Sequence, residues 1–282
     1  MRVVALGPED VDAGFALSTA IGWNQSRADW RQLATSPHVA AVGIRAPERL
    51  VASATVVRYG RALAWIGMVI VAPDQRGRGY GKAVFESVLG TEQARAAEVV
   101  GLDATDLGAP LYAKYGFERI GAIDRWAGTV RPAAGGSPEI GVRAAGREEA
   151  NGIATWDHER SGVDRTAWIT AYLQEPDATA LVAERRGRTV GYAVMRPGRT
   201  HDHLGPWVAE DDEGAQALIA FAGRRYAGRA IYVDALRSDA TGELLASLGL
   251  QVERRLQRRT LGGAASPFRS PPVRAAAGFE WG

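Results

Sequence analysis

The sequence predicts an α/β fold that occurs twice in one chain. Three observations carry this reading. Apolar runs at 38–44, 51–59 and 62–71 follow one another at strand length with short polar breaks, as consecutive antiparallel strands do. The last of them meets a helical run through the glycine-rich turn QRGRGYGK (75–82). The second half then repeats landmarks of the first in the same order.

The first half opens with a strand near 3–6, a helix over 11–20, a loop carrying Trp23-Asn24-Gln25 and a helix around 26–33. After the three strands and the glycine turn, a helix covers 80–90, a strand 98–103, a helix 108–114 and a final strand pair 118–130. The echoes follow. Ile66-Gly67 matches Leu204-Gly205 and Trp30 matches Trp168, both 138 residues on. LDAT (102–105) resembles VDAL (233–236), and AKYGF (113–117) resembles ASLGL (246–250). Pro, Gly and Ser cluster in RPAAGGSPEIGV (131–142), so the boundary is expected there, with domains at 1–131 and 138–282. A second Gly/Pro-rich stretch covers 261–272.

At 282 residues the chain suits two compact domains, and 46% hydrophobic with 23% charged residues is ordinary for a globular protein. A net charge of +2 without a basic tract argues against nucleic acid as the partner. With no Cys there is no disulfide, thiolate metal site or cysteine nucleophile. Pro8, Glu9 and Asp10 interrupt the start too early for a secretory core, and no run reaches 18 apolar residues. The expectation is a cytoplasmic enzyme with no membrane partner, as a monomer or homodimer.

The glycine turn explains what the first half holds. A helix N-terminus carries unsatisfied N–H groups and partial positive charge, which favour an anion. Gly77, Gly79 and Gly81 let consecutive N–H groups converge on a phosphate without a Cβ in the way, and Arg76, Arg78 and Lys82 add charge. The spacing G-x-G-x-G is neither the dinucleotide fingerprint nor a Walker A loop. The cargo is read as a pyrophosphate.

VIVAPDQRGRGYGKAVFE resembles the acetyl-CoA signature of the GNAT superfamily of N-acetyltransferases, and LDATDLGAPLYAKYGFERIG (102–121) resembles that family's second motif, ending in L-Y-x-K-x-G-F. The likeness covers about 1–130, where GWNQSRADW looks like a subgroup of bacterial tandem GNAT proteins. It implies two tandem GNAT-like domains, each a mixed, mostly antiparallel twisted sheet flanked by helices, with the central strand splayed for acetyl-CoA. Val69, Ile70 and Val71 would pair with the pantetheine arm. Backbone amides of Arg76, Gly77, Arg78, Gly79, Tyr80, Gly81 and Lys82 would cradle the pyrophosphate. A strand bulge would expose the N–H that polarises the thioester carbonyl. The reaction implied is direct attack of a primary amine of a small molecule on acetyl-CoA, the cosubstrate, with no metal.

Two proton tasks follow. Tyr112 stands at the family's Tyr position and is the expected acid for the leaving thiolate. The base is open: Asp103 on the next strand is the first candidate, a structural cap is its alternative role, and a water chain is an equal possibility. Trp23, Asn24, Trp65 and Met68 are expected to line the acceptor pocket, while Tyr115 packs. The second half has AEDDEGAQA (209–217) where the first has its glycine turn, and no Tyr at the counterpart of Tyr112, so it is read as degenerate and without CoA of its own. Its acidic run is either a helix cap or a lure for a cation. His201-Asp202-His203 reads as a hairpin turn, VERRLQRRTLG (252–262) as a solvated terminal hairpin, and GFEWG (278–282) as a tail folding back on the first domain. The rival functions are a non-catalytic CoA- or metabolite-binding regulator and an acetyltransferase for protein N-termini or lysines.

Overall fold

The computed structural model describes residues 2–47, 49–133, 135–263, 268 and 272–282. The chain divides into two compact units. One is Met1–Ile120 with Arg259–Ala265 and Phe279–Gly282, and the other is Gly121–Arg258 with Ser266–Gly278.

The first unit runs β1 (Val4–Ala5), α1 (Val11–Ala20), α2 (Arg27–Thr35), β2 (Val39–Ala46), β3 (Arg49–Tyr59), β4 (Leu63–Val71), α3 (Tyr80–Leu89), α4 (Glu92–Arg95), β5 (Val99–Ala104) and α5 (Ala109–Ala113). Its strands lie in the order β1-β2-β3-β4-β5. All neighbours are antiparallel except β4 and β5. Local chemistry sets the helices. Ser26 caps α2 by accepting from the Asp29 amide, and Asp29 accepts in return from the Ser26 amide at 2.7 Å. That start turns Trp30 into the core, where its Nε1 donates to Ser18 Oγ on α1. On the apolar stripe of α3, Val84, Phe85 and Val88 are fully buried.

The second unit begins within β6 (Glu118–Thr129). It continues through β7 (Ile140–Ala145), α6 (Ala150–Ser161), α7 (Thr166–Gln174), β8 (Thr179–Arg185), β9 (Arg188–Arg196), β10 (Asp202–Ala209), α8 (Asp212–Arg225), β11 (Ala230–Leu236), α9 (Asp239–Ser247), β12 (Gln251–Leu261) and β13 (Val273–Ala275). Its strand order is β6-β11-β13-β10-β9-β8-β7. Leu181, Leu204, Trp207, Leu218, Val233 and Leu245 form the centre of its core.

The repeat is visible in matched details. Trp30 and Trp168 are both buried on second helices. Gly116 and Gly249 end corresponding helices at φ 82 and φ 81, with Phe117 N–H donating to Tyr112 O and Leu250 N–H to Leu245 O.

Three sequence expectations are corrected. Residues 118–129 form one strand rather than a pair, and from Ile123 onward that strand pairs with β11. This pairing sets the unit boundary at Ile120/Gly121, ahead of the 131–138 stretch. Only part of His201-Asp202-His203 lies in a hairpin turn: His201 ends the loop that joins antiparallel β9 and β10, whereas β10 starts at Asp202 and His203 is buried within it. Residues 252–262 are not a solvated hairpin. They fall on β12, where Arg258 is buried, Arg255 pairs with Asp124, and Arg259 donates to the Phe117 carbonyl. The start of the strand still faces water, with Arg255 half exposed, but farther along Arg258 is buried and Arg259 holds backbone. The 261–272 stretch lies largely outside the described residues. Among the described residues, no helix is long and apolar enough to cross a membrane.

Candidate active site

The site is built on the far half of β4. Its parallel pairing with β5 runs from Leu63↔Val99 to Ile66↔Leu102 and stops. On the other edge the ladder with β3 slips: Thr55 pairs with Gly67 and Ser53 with Ile70, so Met68 and Val69 oppose Ala54 alone. That is a β-bulge. Met68 carries it at φ 50, an uncommon conformation for a residue with a side chain, and its carbonyl accepts from Ser53 Oγ at 2.9 Å. Beyond Ile66, the β4 edge comprising Val69, Ile70 and Val71 has parted from β5, and a wedge opens between the strands.

The glycine turn lies at the end of that wedge. After a short 3₁₀ turn at Pro73–Gln75, Gly77 and Gly79 adopt φ 78 and φ 80, and Gly79 is the N-cap of α3. No side chain caps α3, as none caps α1, α5, α6 or α7, whereas α2, α4, α8 and α9 are capped by Ser26, Thr91, Asp211 and Ser238. A Cβ placed on Gly77 or Gly79 would meet no heavy atom within 4 Å. Left-handed backbone, open space and an uncapped helix start together fit an anion with several oxygens. Arg76 and Arg78 are exposed there and Tyr80 is half-buried. Lys82 is held by Glu86 at 3.0 Å, and Glu86 also accepts from Tyr115 Oη.

Tyr112 is buried on α5, with its ring centroid 4.9 Å from that of Phe85. Among the described residues its hydroxyl has no hydrogen-bond partner. Burial pushes its pKa from 10.0 up to about 12, so it keeps its proton at neutral pH and has one to give. Asp103 is the first residue of β5 past the last pair with β4 and is half-exposed. In the turn ahead of α5, Thr105 Oγ1 accepts from the amide of Gly108, the helix N-cap, at 3.1 Å.

The acceptor side holds a surprise. The segment 279–282 lies along β4. Trp65 Nε1 donates to the Phe279 carbonyl, Tyr59 Oη donates to the Trp281 carbonyl at 2.7 Å, and the Gly282 backbone rests on the Trp65 ring. A Cβ on Gly67 would stand 2.8 Å from Glu280 Cα, so only glycine allows this approach. Glu280 is buried, and its Oε2 accepts from Gln25 Nε2 at 2.9 Å. The expected tail is therefore present on the first unit, and Trp65 is its anchor. Asn24 is buried and Trp23 half-buried between α1 and α2, and their neighbour Gln25 reaches Glu280. Sequence reasoning missed both Gln25 and Glu280. The aromatic pair around Glu280 was the available signal.

Two GNAT acetyltransferase domain models match the chain, one over residues 35–119 and the other over 153–270. A putative acetyltransferase from Pyrococcus horikoshii is 20% identical, with 100% of this chain and 95% of that one covered at a TM-score of 0.81. The chain belongs to the GNAT superfamily. Two further structures resemble both halves of this GNAT protein. A tandem GNAT protein from the clavulanic acid biosynthesis pathway is 15% identical, with 94% of this chain and 99% of that chain covered and a TM-score of 0.66. A GCN5-related N-acetyltransferase from Sphaerobacter thermophilus is 18% identical over the same shares, with a TM-score of 0.63. No match was found among curated proteins.

The second GNAT unit has the same wedge, filled by its own chain. β10 and β11 pair in parallel at Asp202↔Ile231 and His203↔Tyr232 and then part. β13 enters the gap, pairing Ala275 with both Trp207 and Ala235. The helix start is filled too. Asp211 caps α8 by accepting from the Gly214 amide at 2.8 Å, and Arg185 binds Asp211 and Glu213. Arg274 of β13 closes on Asp212 at 2.8 Å. The acidic run is thus a helix cap. Leu245, wholly buried, stands where the first unit has Tyr112.

Proposed function

We propose that this GNAT protein transfers an acetyl group from acetyl-CoA to a primary amine of a small molecule, in the first unit only, as a cytoplasmic enzyme. The observation that carries this reading is the contrast between two equivalent wedges: open beside Met68 and Val69, plugged by β13 beside Trp207.

Acetyl-CoA supplies a thioester carbonyl open to nucleophilic attack. The parted edge of β4 at Val69–Val71 offers ladder hydrogen bonds to the amide-bearing pantetheine arm. The 76–82 amides and the cations Arg76 and Arg78 suit the pyrophosphate. The bulge turns a backbone N–H outward to stabilise the carbonyl oxygen as charge develops. As the amine nitrogen bonds to the carbonyl carbon and the C–S bond breaks, the Tyr112 hydroxyl gives its proton to the sulfur. A phenol with a pKa of about 12 donates to that sulfur because the departing thiolate shares the burial that raises the phenol. Two carboxylates compete for the amine's proton: Asp103, past the last β4–β5 pair, and Glu280, against Gly67.

The test is thiolate release from acetyl-CoA by the full chain with a panel of primary amines, products weighed by mass spectrometry. An acetylated amine and free thiol in equal amounts are expected. Binding of acetyl-CoA without thiol release under any amine would favour a regulator instead. Transfer confined to peptide N-termini or lysines would favour a protein acetyltransferase.

A further inference from the structure

We infer that Glu280 is the carboxylate that receives the acceptor's ammonium group and takes its proton, a role resting on the acetyl-transfer reading above. Three observations converge on it. The Glu280 main chain is pressed against β4 at Gly67, one residue before the Met68–Val69 bulge, so its carboxylate arises beside the place where the thioester carbonyl would be held. Its side chain is buried, and its position is fixed by the Gln25 Nε2 bond. That bond also fixes the amide orientation. Nε2 must face the carboxylate, so Gln25 Oε1 is turned away from it and is left buried without a hydrogen-bond partner.

The third observation is a second orphan. Thr55 pairs with Gly67 across the β3–β4 ladder, so its side chain shares the face that segment 279–282 covers. Thr55 is fully buried, and its Oγ1 also has no hydrogen-bond partner. Buried polar atoms are rarely left unpaired, and Gln25 Oε1 and Thr55 Oγ1 are both oxygens that a donor group would satisfy. A pairing of carboxylate and hydroxyl oxygens offers acceptors to the N–H donors of a primary ammonium. It does not match an anion, or a thiol or alcohol with a single donor. Tyr59 and Trp65 share this face with Thr55 and Gly67 and give it aromatic surface, which suits a cation carried on an apolar stem.

The step balances as follows. One ammonium N–H proton passes to a Glu280 carboxylate oxygen, and the freed nitrogen lone pair bonds to the carbonyl carbon. The C–S bond breaks with its electron pair on sulfur, and sulfur takes the Tyr112 proton. The protonated amide nitrogen then loses its second proton to solvent.

The experiment compares wild type, Glu280→Gln and Glu280→Asp in the full chain, using the primary amine from the panel that wild type acetylates best. Gln keeps the shape and loses the charge, while Asp keeps the charge and loses the reach. The expected order of kcat/KM is wild type, then Asp, then Gln, with Gln at least about 100-fold below wild type and acetyl-CoA Kd within about threefold throughout. Gln25→Met, which removes both amide atoms, should raise KM for the amine at least about tenfold with a smaller change in kcat, and it decides the matter if Glu280→Gln does not fold. Glu280→Gln equal to wild type, or Gln more active than Asp, overturns the Glu280 assignment alone. So does an unchanged KM in Gln25→Met. Wild type that acetylates no primary amine overturns the acetyl-transfer reading and this inference with it.

Discussion

Ala275 of β13 pairs with Ala235 of β11 in the gap that β10 leaves when it parts from β11 after His203. In the first unit, the corresponding gap past Ile66 and Leu102 has no such strand among the described residues. One fold thus carries one open wedge and one closed by an added ladder. Most of the account follows from that difference.

The glycine turn is predicted to be a ligand feature rather than a folding feature. Gly79→Ala would strain a left-handed residue by about 1–2 kcal/mol, yet its Cβ meets nothing in the protein. The expected result is a folded variant that binds acetyl-CoA at least about tenfold more weakly, read by calorimetry beside a urea melt. Unchanged affinity would remove the pyrophosphate from this turn.

Tyr112→Phe should lower kcat about 10²-fold or more and leave acetyl-CoA affinity alone. Its titration makes a second prediction. The folded pKa of about 12 exceeds the ordinary 10.0, so the unfolded chain loses this proton first as pH rises. The contribution is intact below pH 10. Between pH 10 and 12, stability should fall by about 1.4 kcal/mol per pH unit from this group. The difference between wild type and Tyr112→Phe in denaturant midpoints across that range isolates it. Parallel curves would place the phenol in water.

Asp234 occupies in the second unit the place of Asp103 in the first. It is fully buried and takes a bidentate pair from Arg125 at 2.7 Å for each bond. Burial works to raise its pKa, and the Arg125 charge and hydrogen bonds outweigh it, leaving the group below its usual 3.8. Its stability is therefore present above pH 3.8 and fades as pH falls through the lower folded value. Asp234→Asn removes the carboxylate charge that the buried Arg125 pairs with, and should cost about 3–5 kcal/mol at pH 7. A loss below about 1 kcal/mol would show that the pair is not sealed from water.

Segment 279–282 should act as a structural part of the first unit. Trp281 is 2% exposed, and Trp281→Ala should cost about 3–5 kcal/mol. A chemical melt with no shift would mean that the segment lies off the sheet in solution.

Much of this was legible in the sequence because local chemistry wrote it. Alternating apolar runs gave β2 to β4, Gly77 and Gly79 marked a left-handed turn, and Gly116 with Gly249 marked matched helix ends. What was not legible depends on distant pairing. Nothing near Val273 says that it pairs with Val208, 65 residues upstream, and nothing near Glu280 says that it meets Gln25. The Arg-rich 252–262 run misled for the same reason, since paired arginines look solvated until Asp124 and the Phe117 carbonyl are brought beside them.

The most direct measurement is the number of acetyl-CoA molecules bound per chain, by titration calorimetry of the full protein. The open wedge at β4 and the plugged wedge at β10 predict one, reduced toward none in Gly79→Ala. Two equivalents, or one that survives unchanged in Gly79→Ala, would contradict the assignment of the coenzyme to the first unit.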